Sequence, residues 1–116
     1  MSRPPITSHI LDTTTGRPAV DVSVKLFQRG ADGAWTQLGE DRTNSDGRCP
    51  KLLQVGHTLV PGVYRCDFDT AGYFAANKTK GFYPEVNIIF EVLATDEHYH
   101  IPLLISPFGY STYRGS

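Results

Sequence analysis

The sequence predicts a single all-β domain, a sandwich or barrel with room for one short helix. Three observations carry this. The chain has 116 residues, the size of one ordinary domain, long enough to bury roughly two-thirds of its extended surface. Turn clusters recur roughly every 12 residues. The segments between them alternate apolar and polar residues, as strands with one buried face do.

The turn clusters are Thr15-Gly16-Arg17-Pro18, Gly30-Ala31-Asp32-Gly33, Asn44-Ser45-Asp46-Gly47, Pro61-Gly62 and Pro107-Phe108-Gly109. Gly, Asn and Asp tolerate positive φ and Pro presets φ, so each cluster can reverse the chain. Between them Val22, Val24 and Leu26 share a face. Tyr64, Cys66 and Phe68 alternate with Arg65, Asp67 and Asp69, and Val86, Ile88, Phe90 and Val92 with Asn87, Ile89 and Glu91. Strands are expected near 6–12, 21–29, 35–43, 52–55, 63–69, 86–93, 98–106 and 110–115. The alanines of 70–80 allow one short helix, stopped by Gly81 with Pro84 just beyond. Repeats, low-complexity tracts and linkers are absent, so 1–116 reads as one domain.

Segment 98–106 departs from the simple pattern. Tyr99, Ile101, Leu103 and Ile105 form one face, but Pro102 and Leu104 make the other partly apolar. A small sandwich buries only one face of each sheet in its own core, so a second apolar face points to a partner subunit. Pro102 lacks a ladder donor in mid-strand, and a bulge is expected there.

Composition excludes several functions. Hydrophobic residues make up 40% and charged residues 20%, with 11 basic against 12 acidic side chains and a net charge of −1. No basic excess suits nucleic acid or an anionic membrane, and no apolar run is long enough to span a bilayer. Met1-Ser2-Arg3-Pro4-Pro5 has no apolar leader stretch, the end Arg114-Gly115-Ser116 is no peroxisomal tripeptide, and two cysteines make no disulfide scaffold. A reducing compartment is expected. The cytoplasm is the simplest such place, with peroxisome and periplasm left open.

Three blocks carry a resemblance. Ser8-His9-Ile10-Leu11-Asp12-Thr13-Thr14-Thr15-Gly16-Arg17-Pro18-Ala19 resembles the opening of the transthyretin superfamily, and Thr43-Asn44-Ser45-Asp46-Gly47-Arg48-Cys49 its second block. The end, Glu97 to Ser116 with its terminal Tyr113-Arg114-Gly115-Ser116, resembles the transthyretin-like 5-hydroxyisourate hydrolases. The resemblance covers nearly the whole chain. It implies a sandwich of two four-stranded sheets with a short helix after the fifth strand. It further implies a homotetramer, a dimer of dimers around a channel holding two pairs of sites. The implied reaction is hydrolysis of the N1–C6 amide of 5-hydroxyisourate in urate degradation, giving 2-oxo-4-hydroxy-4-carboxy-5-ureidoimidazoline. The implied partner is that small substrate, with no cofactor and no metal.

The resemblance also implies site residues, each set against a plainer reading. By itself His9 is a surface or packing histidine. In the family block it is catalytic, and an imidazole with an ordinary pKa of about 6.5 can take a proton from water at neutral pH. His100 is carried over as its catalytic companion. His98 lies on the same side of the strand, so His9, His98 and His100 together offer a competing three-histidine zinc reading. Arg48 is either an exposed turn arginine or the donor fork that binds an anionic, oxygen-rich ring and stabilises oxyanion charge. Tyr113 to Ser116 is either a loose tail or a segment folded into the channel mouth. In the second reading Ser116 orients His9, Tyr113 lines the substrate pocket and Arg114 pins the tail by an ion pair. Cys49, beside Arg48, admits a nucleophilic thiol, whereas Cys66 belongs to the core. The competing function is a transthyretin-type carrier of small aromatic hormones. A carrier needs an apolar channel, and the titratable set His9, Arg48 and His100 argues against one.

Overall fold

The structure, a computed structural model, describes residues 4–54 and 56–116. In chain order it has β1 (Ile6–Asp12), β2 (Arg17–Pro18), β3 (Ser23–Arg29), β4 (Trp35–Arg42), β5 (Gly62–Phe68), helix α1 (Thr70–Ala76), β6 (Val86–Val92), β7 (Tyr99–Ser106) and β8 (Gly109–Thr112). The strands form two four-stranded sheets, β2-β1-β7-β8 and β4-β3-β5-β6. Among the described residues the one parallel pair, β1 with β7, lies at the centre of the first sheet and joins an early strand to a late one. The expected sandwich and the helix after the fifth strand are both present.

The alternation selects which side chains the core receives. From β1 it takes Ile6, Ser8, Ile10 and Asp12, and from β7 Tyr99, Ile101, Leu103 and Ile105. Tyr64, Cys66 and Phe68 of β5 and Val86 and Val92 of β6 close it from the other sheet. Each fully buried aliphatic or aromatic side chain contributes about 1.5–3 kcal/mol. The consequence for function is that Thr7 and His9, and His98 and His100, all face away from this core.

Several boundaries differ from expectation. No strand forms at 52–54, and residue 55 lies outside the described residues. Leu52 and Leu53 are adjacent in sequence and both buried, which a strand facing one core cannot achieve. A turn satisfies both, and Lys51 donates its N–H to the Asp41 side chain at 2.7 Å instead of to a ladder. Gly39 makes room, because a Cβ there would collide with the Leu52 carbonyl. β2 was not expected, since two residues carry no readable period. The bulge expected at Pro102 is absent, and the register shift lies between Leu26 and Phe27 instead. Pro102 turns its missing donor toward β8, where its carbonyl accepts from the Thr112 hydroxyl at 2.7 Å just as that strand ends.

The helix is also shorter than 70–80. Asp69 caps its start by accepting from the Gly72 N–H at 3.0 Å. It ends at Asn77, with Lys78 in the left-handed region at φ 56°. Lys78 N–H donates to the Ala75 carbonyl and Thr79 N–H to that of Phe74, the paired bonds of a Schellman turn. Gly81 instead allows close approach to Phe74, whose Cδ2 would lie 2.8 Å from a Cβ there. The Tyr73 hydroxyl donates to Asp12 Oδ2 at 2.7 Å and fastens the helix to the end of β1.

Candidate active site

Two local devices bring Arg48 to His9. The Asn44 side chain accepts from the N–H groups of Asp46 (2.9 Å) and Arg48 (3.1 Å), and Gly47 sits at φ 75°. Such Asx geometry is what an Asn-Ser-Asp-Gly sequence favours. The turn is then laid along β1. Ile10 N–H donates to the Gly47 carbonyl at 2.8 Å, and His9 and Arg48 form an isolated antiparallel bridge. Bridge partners project to the same face, so the exposed Arg48 and the half-buried His9 share one surface. A hollow of about 300 Å³ opens beside them, lined by Thr7, Asn44 and Arg48 among others. Gly47 has to be glycine here, for a Cβ would strike the Ile10 carbonyl.

The parallel register places Thr7 beside His100 and His9 beside Pro102. The His9 and His100 rings lie with centroids 6.4 Å apart and planes inclined at 28°. The His98 ring lies on the far side of His100, also at 6.4 Å, inclined at 17°. The Thr7 hydroxyl bridges these last two, 2.9 Å from His98 Nε2 and 2.8 Å from His100 Nδ1. These two nitrogens therefore meet at a hydroxyl. Among the described residues no set of three His, Cys, Asp or Glu side chains stands in metal-holding geometry.

The C-terminal tail closes against the other edge of His100. Gly115 N–H donates to the His100 carbonyl at 2.9 Å. Arg114 pairs with Glu97 at 2.7 Å and lies over the Tyr99 ring at 4.6 Å, so the tail is pinned by an ion pair of the expected kind. Tyr113 is exposed and lines a hollow of about 270 Å³ together with His100, Ile88 and Phe90. Ser116 follows directly on the Gly115 bridge and is exposed; among the described residues no hydrogen bond joins it to His9 in the single chain. A larger hollow of about 410 Å³, lined by Lys25, Asp67, Asp69 and Glu85, lies on the other sheet and contains none of these residues.

The structure thus brings His9, Arg48 and His100 together, with Tyr113 and Ser116 on the tail next to His100. Cys49 points inward and is buried. Burial, and then the charge of Asp41, push its thiol up to about 12, which suits a core residue and not a nucleophile. Burial likewise raises Cys66. Thr7 was missed by sequence reasoning. The signal was present, since Thr7 alternates onto the face of His9.

Comparisons with known proteins bear on the family and the fold. The chain is 49% identical over 108 residues to a 5-hydroxyisourate hydrolase of Salmonella dublin, covering 93% of this chain and 78% of that one. It is 43% identical to a uric acid degradation bifunctional protein of Arabidopsis thaliana, of whose length it spans 38%. Among solved structures, transthyretin from Sparus aurata superposes with a TM-score of 0.91 at 34% identity, covering 97% of each chain. The 5-hydroxyisourate hydrolase of Klebsiella pneumoniae gives 0.81 at 34% identity, covering 96% of this chain and 98% of that one. The HIUase/Transthyretin family model matches residues 6–115, and with the identity to these relatives it places this chain in the HIUase/Transthyretin family.

Proposed function

We propose that this protein is a 5-hydroxyisourate hydrolase that opens the six-membered ring of its substrate at the N1–C6 amide. The observation that carries the reading is the convergence of His9, Arg48 and His100, from three separate parts of the sequence, on one solvent-facing surface. The high TM-score to transthyretin reflects a scaffold that both branches share. A hormone carrier has no use for two imidazoles and a guanidinium on that surface, so the hydrolase reading is preferred.

The chemistry follows from those groups. One imidazole of the His9–His100 pair takes a proton as water attacks C6. The carbonyl oxygen becomes an oxyanion, facing the guanidinium of Arg48, which also holds the anionic ring. As the tetrahedral intermediate collapses, the N1–C6 bond breaks and the imidazolium returns its proton to N1. C6 stays attached to the five-membered ring as a carboxyl group and becomes a carboxylate as its remaining proton passes to solvent. Tyr113 flanks the ring and Ser116 helps orient the imidazoles. These steps ask for a base, a donor and a cation, all from side chains, and for no cofactor.

The shared site is proposed to lie in a channel of a homotetramer, a dimer of dimers. Support comes from large apolar side chains that the single chain leaves exposed, among them Ile89, Leu93, Phe108 and Tyr113. No helix among the described residues is long and apolar enough to cross a membrane, and the cytoplasm is the proposed compartment. The deciding experiment follows the ultraviolet decay of freshly generated 5-hydroxyisourate with and without the protein. Acceleration over the spontaneous decay supports the reading, and an unchanged decay overturns it.

A further inference from the structure

We infer that Thr7, with His98 behind it, is a positioning residue that sets the ring orientation and the tautomer of His100. The inference rests on the hydrolase reading for its functional consequence, but its geometry stands alone. The His100 imidazole is held at both edges. Its Nδ1 lies 2.8 Å from Thr7 Oγ1. On the opposite edge, Gly115 packs so closely that a Cβ there would lie 2.6 Å from His100 Cδ2.

Proton counting then limits the tautomers. The Thr7 hydroxyl has one proton and faces two ring nitrogens, His100 Nδ1 and His98 Nε2. It cannot donate to both, so at least one of them carries its own proton. An imidazole that accepts a proton from water at Nε2 must hold its own at Nδ1. That arrangement is a directed chain: His100 Nδ1–H donates to Thr7, and Thr7 O–H donates to His98 Nε2. The reverse chain would protonate His100 Nε2 and remove its basic site. Thr7 is thus the element through which His98 reaches the reacting centre without touching substrate.

The test uses the full-length protein and two readouts. Thr7→Val keeps the branched shape and removes the hydroxyl, and His98→Phe keeps a ring against His100 and removes the nitrogens. Each is expected to lower kcat by roughly ten- to a hundredfold with KM unchanged. The double variant should be no slower than Thr7→Val alone, and Thr7→Ser should restore turnover. Nitrogen-15 spectra of the imidazoles should show the His100 proton on Nδ1 in the wild type and on Nε2 in Thr7→Val. Wild-type kcat in Thr7→Val overturns the inference. So does a wild-type spectrum with the His100 proton on Nε2, which decides the matter even if Thr7→Val does not fold. Failure of the wild type to hydrolyse 5-hydroxyisourate would instead overturn the functional reading, and the spectra would still judge the clamp.

Discussion

Gly115 donates its backbone N–H to the carbonyl of His100 at 2.9 Å and lays its bare Cα against the edge of that histidine's ring. The second-to-last residue of the chain is therefore a wall of the candidate site. Only a residue without a side chain fits, since a Cβ would also come within 3.0 Å of Pro102 Cγ.

Gly115→Ala tests that wall. The new methyl must displace either the His100 ring or the tail, and a displacement of about 1 Å near the reacting groups can cost on the order of a hundredfold in rate. The expected outcome is a steep fall in kcat with the melting temperature nearly unchanged, because the tail adds little to the core. Wild-type turnover in this variant would show that the tail does not govern His100.

The second prediction is the assembly. Leu93 and Phe108 are 74% and 73% exposed in the single chain, large apolar side chains that a subunit interface would cover. Light scattering is expected to give about 51 kDa, four times the 12.8 kDa of one chain. A stable monomer at working concentration would remove the channel from the proposal.

How much of this was legible in the sequence depends on range. The alternating strands at 6–12, 63–69 and 86–93 were readable because the period is local and each strand buries one face. Leu52 and Leu53 misled because two adjacent apolar residues look like strand when a turn buries them both. The pairing of His9 with Arg48 is a long-range bridge that no local pattern encodes. Their association came from the family blocks alone. Thr7 escaped notice for a related reason: threonine is ordinary in a strand, and its importance arises only from the parallel register that sets it beside His100.

The third prediction concerns alkaline pH. Burial raises the Cys49 thiol from its ordinary 9.0 to about 12 and also raises Cys66 and Tyr73. Each group stays protonated in the folded chain at a pH where it ionises in the unfolded one. Above about pH 9 the unfolded state therefore binds fewer protons, and stability falls as pH rises toward the folded value. Thermal melts should decline steeply between about pH 9 and 12, and Cys49→Ala should flatten part of that slope. Native Cys49 should also resist thiol reagents at pH 8. Rapid labelling of Cys49 in the folded protein would contradict its burial.

The last prediction weighs the site residues against one another. General acid–base groups contribute about 10²–10⁴ in rate and a single electrostatic donor about 10²–10³. His9→Ala and His100→Ala should each lower kcat by such a factor while the protein keeps its assembly. Arg48→Ala should lower kcat and raise KM together, because the guanidinium holds the anionic ring before as well as during reaction. Arg48→Lys should recover little, since an ammonium cannot reproduce the planar fork. Removal of Ser116 should slow turnover while sparing KM, because the residue adjoins the Gly115–His100 bridge and acts on imidazole orientation more than on ring binding. Cys49→Ser should turn over at near the wild-type rate. If Cys49→Ser abolished activity and His9→Ala did not, hydrolysis would run through a thiolate. The surface shared by His9, Arg48 and His100 would then have to be assigned to binding alone.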